Sequence, residues 1–310
     1  MRKLFLFGFI LVAVVFAGIF ILLPEKVHFR KTMYVQAAPN TAARFVLDQK
    51  AWHTWWPSTA TSKNDTTFFY EEHEFVVNWK IMSGDSIIIR SKNSNVSSLL
   101  NLIPVNKDSF GIQWEGESNA ETNFLKRIDN YFTQKEIHNN ASEIFAALKT
   151  FLENDEKVYG LKIEHKMVVD TLLISTKKIF TTYPTTQQVY ELVDELKSYI
   201  KSNDAVQTNP PMLHVVQDSG LFKTMVAIPI NKALQNTNSF AIKKMVAGKI
   251  LISQIKGGSS QAEAAIKKIE LYMDDYHLLS PAISYQSLVS DRTQERDSTK
   301  WVTKVYYPVM

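Results

Sequence analysis

The chain has 310 residues, 45% of them hydrophobic and 21% charged, with a formal net charge of +4 at pH 7. This is the composition of a globular protein, long enough for two domains and too weakly basic to argue for nucleic acid. Cysteine is absent, which excludes disulfides, thiolate metal sites and a cysteine nucleophile.

Residues 4–23 read LFLFGFILVAVVFAGIFILL, without a charged or strongly polar side chain. At 1.5 Å per helical residue, such a run is about as long as a bilayer's hydrocarbon core is thick. It stays bulky up to Pro24-Glu25-Lys26, with no small-x-small cleavage site, so residues 1–26 are expected to form an uncleaved membrane anchor rather than a signal peptide. Basic residues flank both ends. The short lead before the span and the lack of cysteine favour a single-pass protein with its bulk outside the cytoplasm.

Residues 27–157 form the first expected domain. An extended stretch from Val27 to Gln36 is broken at Ala38-Pro39, and a short helix follows over 42–47 with Asn40 or Thr41 as its cap. Trp52, Trp55 and Trp56 come next and read as packing residues of a corner. Phe75, Val77, Trp79 and Ile81 alternate with polar residues, as do Phe110, Ile112 and Trp114. Period-two alternation means half-buried antiparallel strands. Apolar residues at helical spacing from Ile137 to Leu152 predict a closing helix over 135–154.

Residues 158–310 form the second. A strand over Leu161–Phe180, a helix over 186–202 and strands over 212–217 and up to Ile230 make one β-α-β-β unit. A strand over Phe240–Ile255, a helix over 261–278 and strands over 283–289 and up to Val309 make another. Each copy closes on an apolar-Pro-apolar triplet, Ile228-Pro229-Ile230 and Tyr307-Pro308-Val309. Tandem copies pack about a pseudo-two-fold axis, and the crevice between them is a natural ligand site. The fold class is therefore α+β.

Two families are recognisable in these residues. Val35-Gln36-Ala37-Ala38-Pro39, Trp52-His53-Thr54-Trp55-Trp56-Pro57 and Asn123-Phe124-Leu125-Lys126-Arg127, in that order, resemble the START-like/SRPBCC superfamily in its polyketide cyclase-like branch. The resemblance implies a helix-grip fold with an apolar cavity between sheet and helix. Gly248-Lys249, Ile255-Lys256-Gly257-Gly258, Ser280-Pro281-Ala282, Tyr285, Asp297 to Thr303 and Tyr306-Tyr307-Pro308-Val309 resemble the GyrI-like small-molecule-binding family, related to AraC-type effector-binding domains. That resemblance implies a groove for amphipathic or cationic organic molecules. Lys304 stands where many relatives carry an acid.

Candidate ligand-binding residues follow. Trp79 and Trp114 share the apolar face that a helix-grip cavity would use. Tyr285, Trp301 and Tyr306 are groove aromatics, each offering a π face. Lys304 lies on the face of Tyr306 and suits an anionic ligand. No catalytic residue, metal site or cofactor is expected. The seven histidines fall into no zinc pattern, and Glu71-Glu72-His73-Glu74 lies in a strand, where neighbours point to opposite faces. There is no Gly-x-Ser-x-Gly elbow and no phosphate-binding loop. The expected function is a membrane-anchored protein that sequesters or senses a hydrophobic or amphipathic small molecule, with no nucleic-acid partner and any protein partner unspecified. The alternative is a hydrolase or cyclase acting in the second groove, which would need an acid or base near Tyr285 and Tyr306.

Overall fold

Alternating exposure along His28–Val35 (β1) starts the first of two sheets in the computed structural model. The structure describes residues 10–310 except 12, 13, 16, 19, 59–63, 82, 83, 91–94, 121, 169–171 and 246, and the side chains of 78–81 and 84. Two compact units divide at Asn154/Asp155.

In the first unit, β1 is followed by α1 (Pro39–Phe45), a 3-10 turn (Gln49–Thr54), β2 (Thr67–Tyr70), β3 (His73–Ile81), β4 (Gly84–Arg90), β5 (Asn95–Asn106), β6 (Ser109–Ser118) and α2 (Phe124–Leu152). The strands form an antiparallel sheet in the order β1-β6-β5-β4-β3-β2, and α2 packs on β1. Proline starts α1 at its first position, with Ala38 as the cap residue rather than Asn40 or Thr41. Fixed φ and a missing N–H suit proline to that place.

α2 begins eleven residues earlier than the apolar period predicts. Its buried stripe continues towards the N-terminus as Arg127, Asn130 and Thr133. The first two of these polar residues have partners in the preceding segment. Arg127 Nη2 donates to the Leu23 carbonyl at 2.7 Å, and Asn130 Nδ2 donates to the Glu25 carbonyl at 3.2 Å. The Arg127 guanidinium also lies 4.1 Å from the centre of the Phe20 ring.

Aromatic rings fill the space between this sheet and its helix. Trp52, Trp55 and Trp56 are buried, and each indole N–H donates to a backbone carbonyl, of Val46, Phe45 and Phe69 respectively. Trp114 is fully buried among Phe29, Phe75 and Phe145, with its N–H given to Ser98 Oγ at 3.0 Å. With its ring surrounded by these three aromatics and no surface exposed, it packs as a core residue. Trp79 pairs with Ser86 beyond a register shift at Val77/Trp79; its side chain lies outside the described residues.

Half of the expected membrane span 4–23 falls on residues outside the description. Among the described residues, no helix is long and apolar enough to cross a membrane. Those described at 10–22 are helical, with Ile21 and Leu22 exposed.

The second unit runs α3 (Asp155–Tyr159), β7 (Glu164–Met167), β8 (Leu172–Phe180), α4 (Thr186–Ser202), β9 (Met212–Asp218), β10 (Leu221–Pro229), β11 (Ala241–Lys244), β12 (Lys249–Lys256), α5 (Ser259–Asp275), β13 (Tyr285–Leu288) and β14 (Val302–Val309). Each long strand expected before a helix is two strands, β7 with β8 and β11 with β12. The eight strands are ordered β11-β8-β10-β9-β13-β14-β12-β7, all antiparallel. The order is symmetric about the β9–β13 joint, where Leu213 faces Gln286. The outer strands are exchanged. β7 precedes the first copy but pairs with β12 of the second, and β11 precedes the second copy but pairs with β8 of the first. α4 packs on β8 and β10, and α5 on β12 and β14. A capping box at Thr185 and Gln188 starts α4.

Removing a buried tryptophan leaves a large void. Trp114→Ala is expected to cost about 3–5 kcal/mol, read as a lowered urea midpoint, and Trp114→Phe less. His73 is 3% exposed, with Nδ1 3.1 Å from Asn140 Nδ2 and Nε2 3.9 Å from Glu136. Burial lowers its pKa from 6.5, against the opposing pull of Glu136. The unfolded chain therefore takes up this proton first, and stability falls as pH drops through 6.5 towards the folded value. His73→Gln should flatten that acid limb in urea titrations at successive pH values.

Candidate functional site

Directly opposed residues of an antiparallel pair lie on one face of the sheet. Pairing along the second sheet therefore assigns its faces. Ile174, Val226, Ile228, Leu213 and Leu288 turn towards α4 and pack there. On the other face Lys243 opposes Leu173, Ala227 opposes Met212, and Met212 opposes Ser287. Ser287 opposes Lys304, and Lys304 opposes Gln254. Tyr285 opposes Tyr306, Tyr306 opposes Ile252, and Ile252 opposes Glu164. This helix-free face carries the groove.

The groove has two chambers. One, of about 270 Å³, is mostly apolar and is lined by Leu173, Met212, Met225, Ala227 and Met245 among others. Val168, just after β7, and Gly248, just before β12, meet beside it, Val168 N donating to the Gly248 carbonyl at 2.9 Å. The second chamber, of about 360 Å³, is polar and is lined by Glu164, Lys166, Gln254, Lys304 and Tyr306. Val168 and Tyr285 border both.

Three of the predicted residues come together here. Tyr285 and Tyr306 stack with ring centres 4.8 Å apart and planes 6° from parallel. Lys304 lies half-buried beside Tyr306 on the same wall. Its side chain makes no hydrogen bond or ion pair among the described residues. Trp301 lies elsewhere. Its indole N–H donates to the Glu295 carbonyl at 2.7 Å, and the Arg292 guanidinium sits 4.8 Å from its ring centre. It lines a depression at the start of α5, with Gly257, Gly258 and Ser259. Arg292 is itself buried, donating to Thr303 Oγ1 at 2.9 Å, and burial lowers its pKa.

Sequence reasoning missed Glu164 and Lys166. They lie far from Tyr306 along the chain and reach its face only because β7 pairs with the second copy. Glu164 supplies the carboxylate absent from the terminal strand, but it is already engaged. Lys166 at 2.7 Å and Lys162 at 3.1 Å hold its pKa down to about 2. Fully ionised and doubly paired, it is a poor general base. His214, on the apolar side, donates from Nδ1 to the Ser284 carbonyl at 2.7 Å. No spacing signal announced it.

No family model matches the chain, and no curated protein matches it significantly. Solved structures do resemble it. The EcmrR C-terminal domain is 15% identical with a TM-score of 0.42, covering 48% of this chain and 98% of that one. SAV2435, solved bound to tetraphenylphosphonium, is 10% identical with a TM-score of 0.33, covering 48% of this chain and 94% of that one. A START superfamily protein from Mycobacterium smegmatis is 14% identical with a TM-score of 0.30, covering 41% of this chain and 97% of that one. These are similarities at low identity, and none bears on ligand or chemistry.

The stacked tyrosines give a local test. Aromatic pairs contribute about 0.5–1.5 kcal/mol beyond area burial. A double-mutant cycle with Tyr285→Ala and Tyr306→Ala should return a coupling energy in that range by urea denaturation.

Proposed function

We infer that this chain binds a hydrophobic or amphipathic small molecule in the groove of its second unit, sequestering or sensing the molecule rather than transforming it. One observation carries the reading. The apolar chamber of about 270 Å³ opens beside a polar one across Tyr285, an arrangement suited to a ligand with an apolar body and a polar end. The first unit's aromatic interior is occupied by its own side chains, which favours the second unit as the binding site. In this reading the first unit is START-like and the second GyrI-like. The apolar run at 4–23 tethers both to a membrane, with the bulk outside the cytoplasm. Tethering suits such ligands, because they partition into the bilayer and concentrate where the protein sits.

The test is native mass spectrometry of the full chain purified in mild detergent, alongside Ala227→Phe, which pushes a ring into the apolar chamber. The wild type should carry an added small-molecule mass that the variant lacks, and melting of the variant checks that it folds. A bare mass for the wild type, together with no thermal shift across a panel of amphiphiles, would refute the proposal.

A further inference from the structure

Binding in the groove leaves open the charge of the ligand's polar end. The lining answers this with an imbalance. Lys304 and Lys166 line the polar chamber, and Lys243, Lys244 and Lys249 border the apolar one. Glu164 is the one acidic side chain among the residues that line the two chambers. It is held by Lys162 and Lys166 at the outer strand, so its charge is balanced before any ligand arrives. Lys304 is different. It sits in mid-sheet between Gln254 and Ser287, neither of which carries charge, and it is half-buried. A half-buried ammonium without a counter-ion has lost part of its hydration and regains stabilisation from an anion.

The tyrosines do not offset this. A cation would seek the π face of Tyr285 or Tyr306. Their near-parallel stack at 4.8 Å gives one face of each ring to the other. A cationic head that reached the remaining faces would also meet Lys304.

We propose that the groove selects anionic amphiphiles, with the apolar body beside Met212 and Met245 and the negative head against Lys304. This rests on the binding role proposed above and adds the sign of the ligand's charge. An acidic lipid headgroup and a soluble organic anion share this chemistry.

The experiment uses three probes with one tail, octyl sulfate, octanol and octyltrimethylammonium. Each is titrated calorimetrically into the full chain in phosphatidylcholine nanodiscs, with empty nanodiscs subtracted. Octyl sulfate should bind tightest and octyltrimethylammonium weakest. Lys304→Glu should lower the ratio of their affinities about tenfold or more, the scale of reversing one partly screened charge. Lys304→Gln should lower it less, and keeps the test available if the charge reversal fails to fold. Repeating the octyl sulfate titration in nanodiscs containing phosphatidylglycerol separates the two sources: competition marks a lipid headgroup, and no competition a soluble anion. Octyltrimethylammonium binding as tightly as octyl sulfate, or a ratio unmoved in both variants, would overturn charge selection alone. Failure of all three probes to bind would overturn the binding role with it.

Discussion

Reach governs the second unit. From β7 to β8 the chain must pass six inter-strand steps, about 29 Å across a flat sheet. Five peptide steps separate Met167 from Leu172, and fully extended they cover only about 17 Å. The same holds from β11 to β12, which are also six strands apart with a four-residue connection. A flat sheet cannot satisfy either link. Both opposite edges must therefore curl towards the face without helices, and the Val168–Gly248 hydrogen bond marks where the two short links meet. The groove follows from the short connections. It is the concavity left when a sheet is bent by chain too short to span it.

That constraint also explains the contrast between the two faces. α4 and α5 cover one side with long apolar side chains, so that face is a conventional core. The other face keeps the residues that strands project there. Leucine, methionine and alanine from the first copy give way to lysine, glutamine and tyrosine from the second. The pseudo-symmetry belongs to the backbone alone; in side chains the two halves have diverged, and their difference supplies an apolar and a polar end.

Much of this was legible in the sequence. Helical spacing in Val189, Leu192, Val193 and Leu196 located α4, and the doubled order of elements was visible from its two Pro-centred endings. Lys304 and Tyr306 could be grouped because alternation sets the face of a residue within a strand, and Tyr285 joined them through the family resemblance. The missed features have a common cause. Glu164 and Lys166 reach the groove by exchange with the other copy, and no local pattern encodes which edge a four-residue strand will join. The start of α2 was misjudged because its buried stripe changes from apolar to polar at Arg127, Asn130 and Thr133. Arg127 and Asn130 donate there to the backbone carbonyls of Leu23 and Glu25, which hydrophobic periodicity does not register. Trp114 reads the same from sequence whether it lines a cavity or fills one, and only its neighbours decide.

The position of β14 has a consequence for how the chain is made. This strand follows every other element of the unit in sequence, yet it lies inside the sheet, between β13 and β12. While synthesis is under way, those two strands present unpaired backbone edges, and the β9–β13 joint stands without its neighbour. Completion of the sheet must therefore wait until Val302–Val309 has emerged from the ribosome. During that interval the exposed edges are open to pairing with other chains.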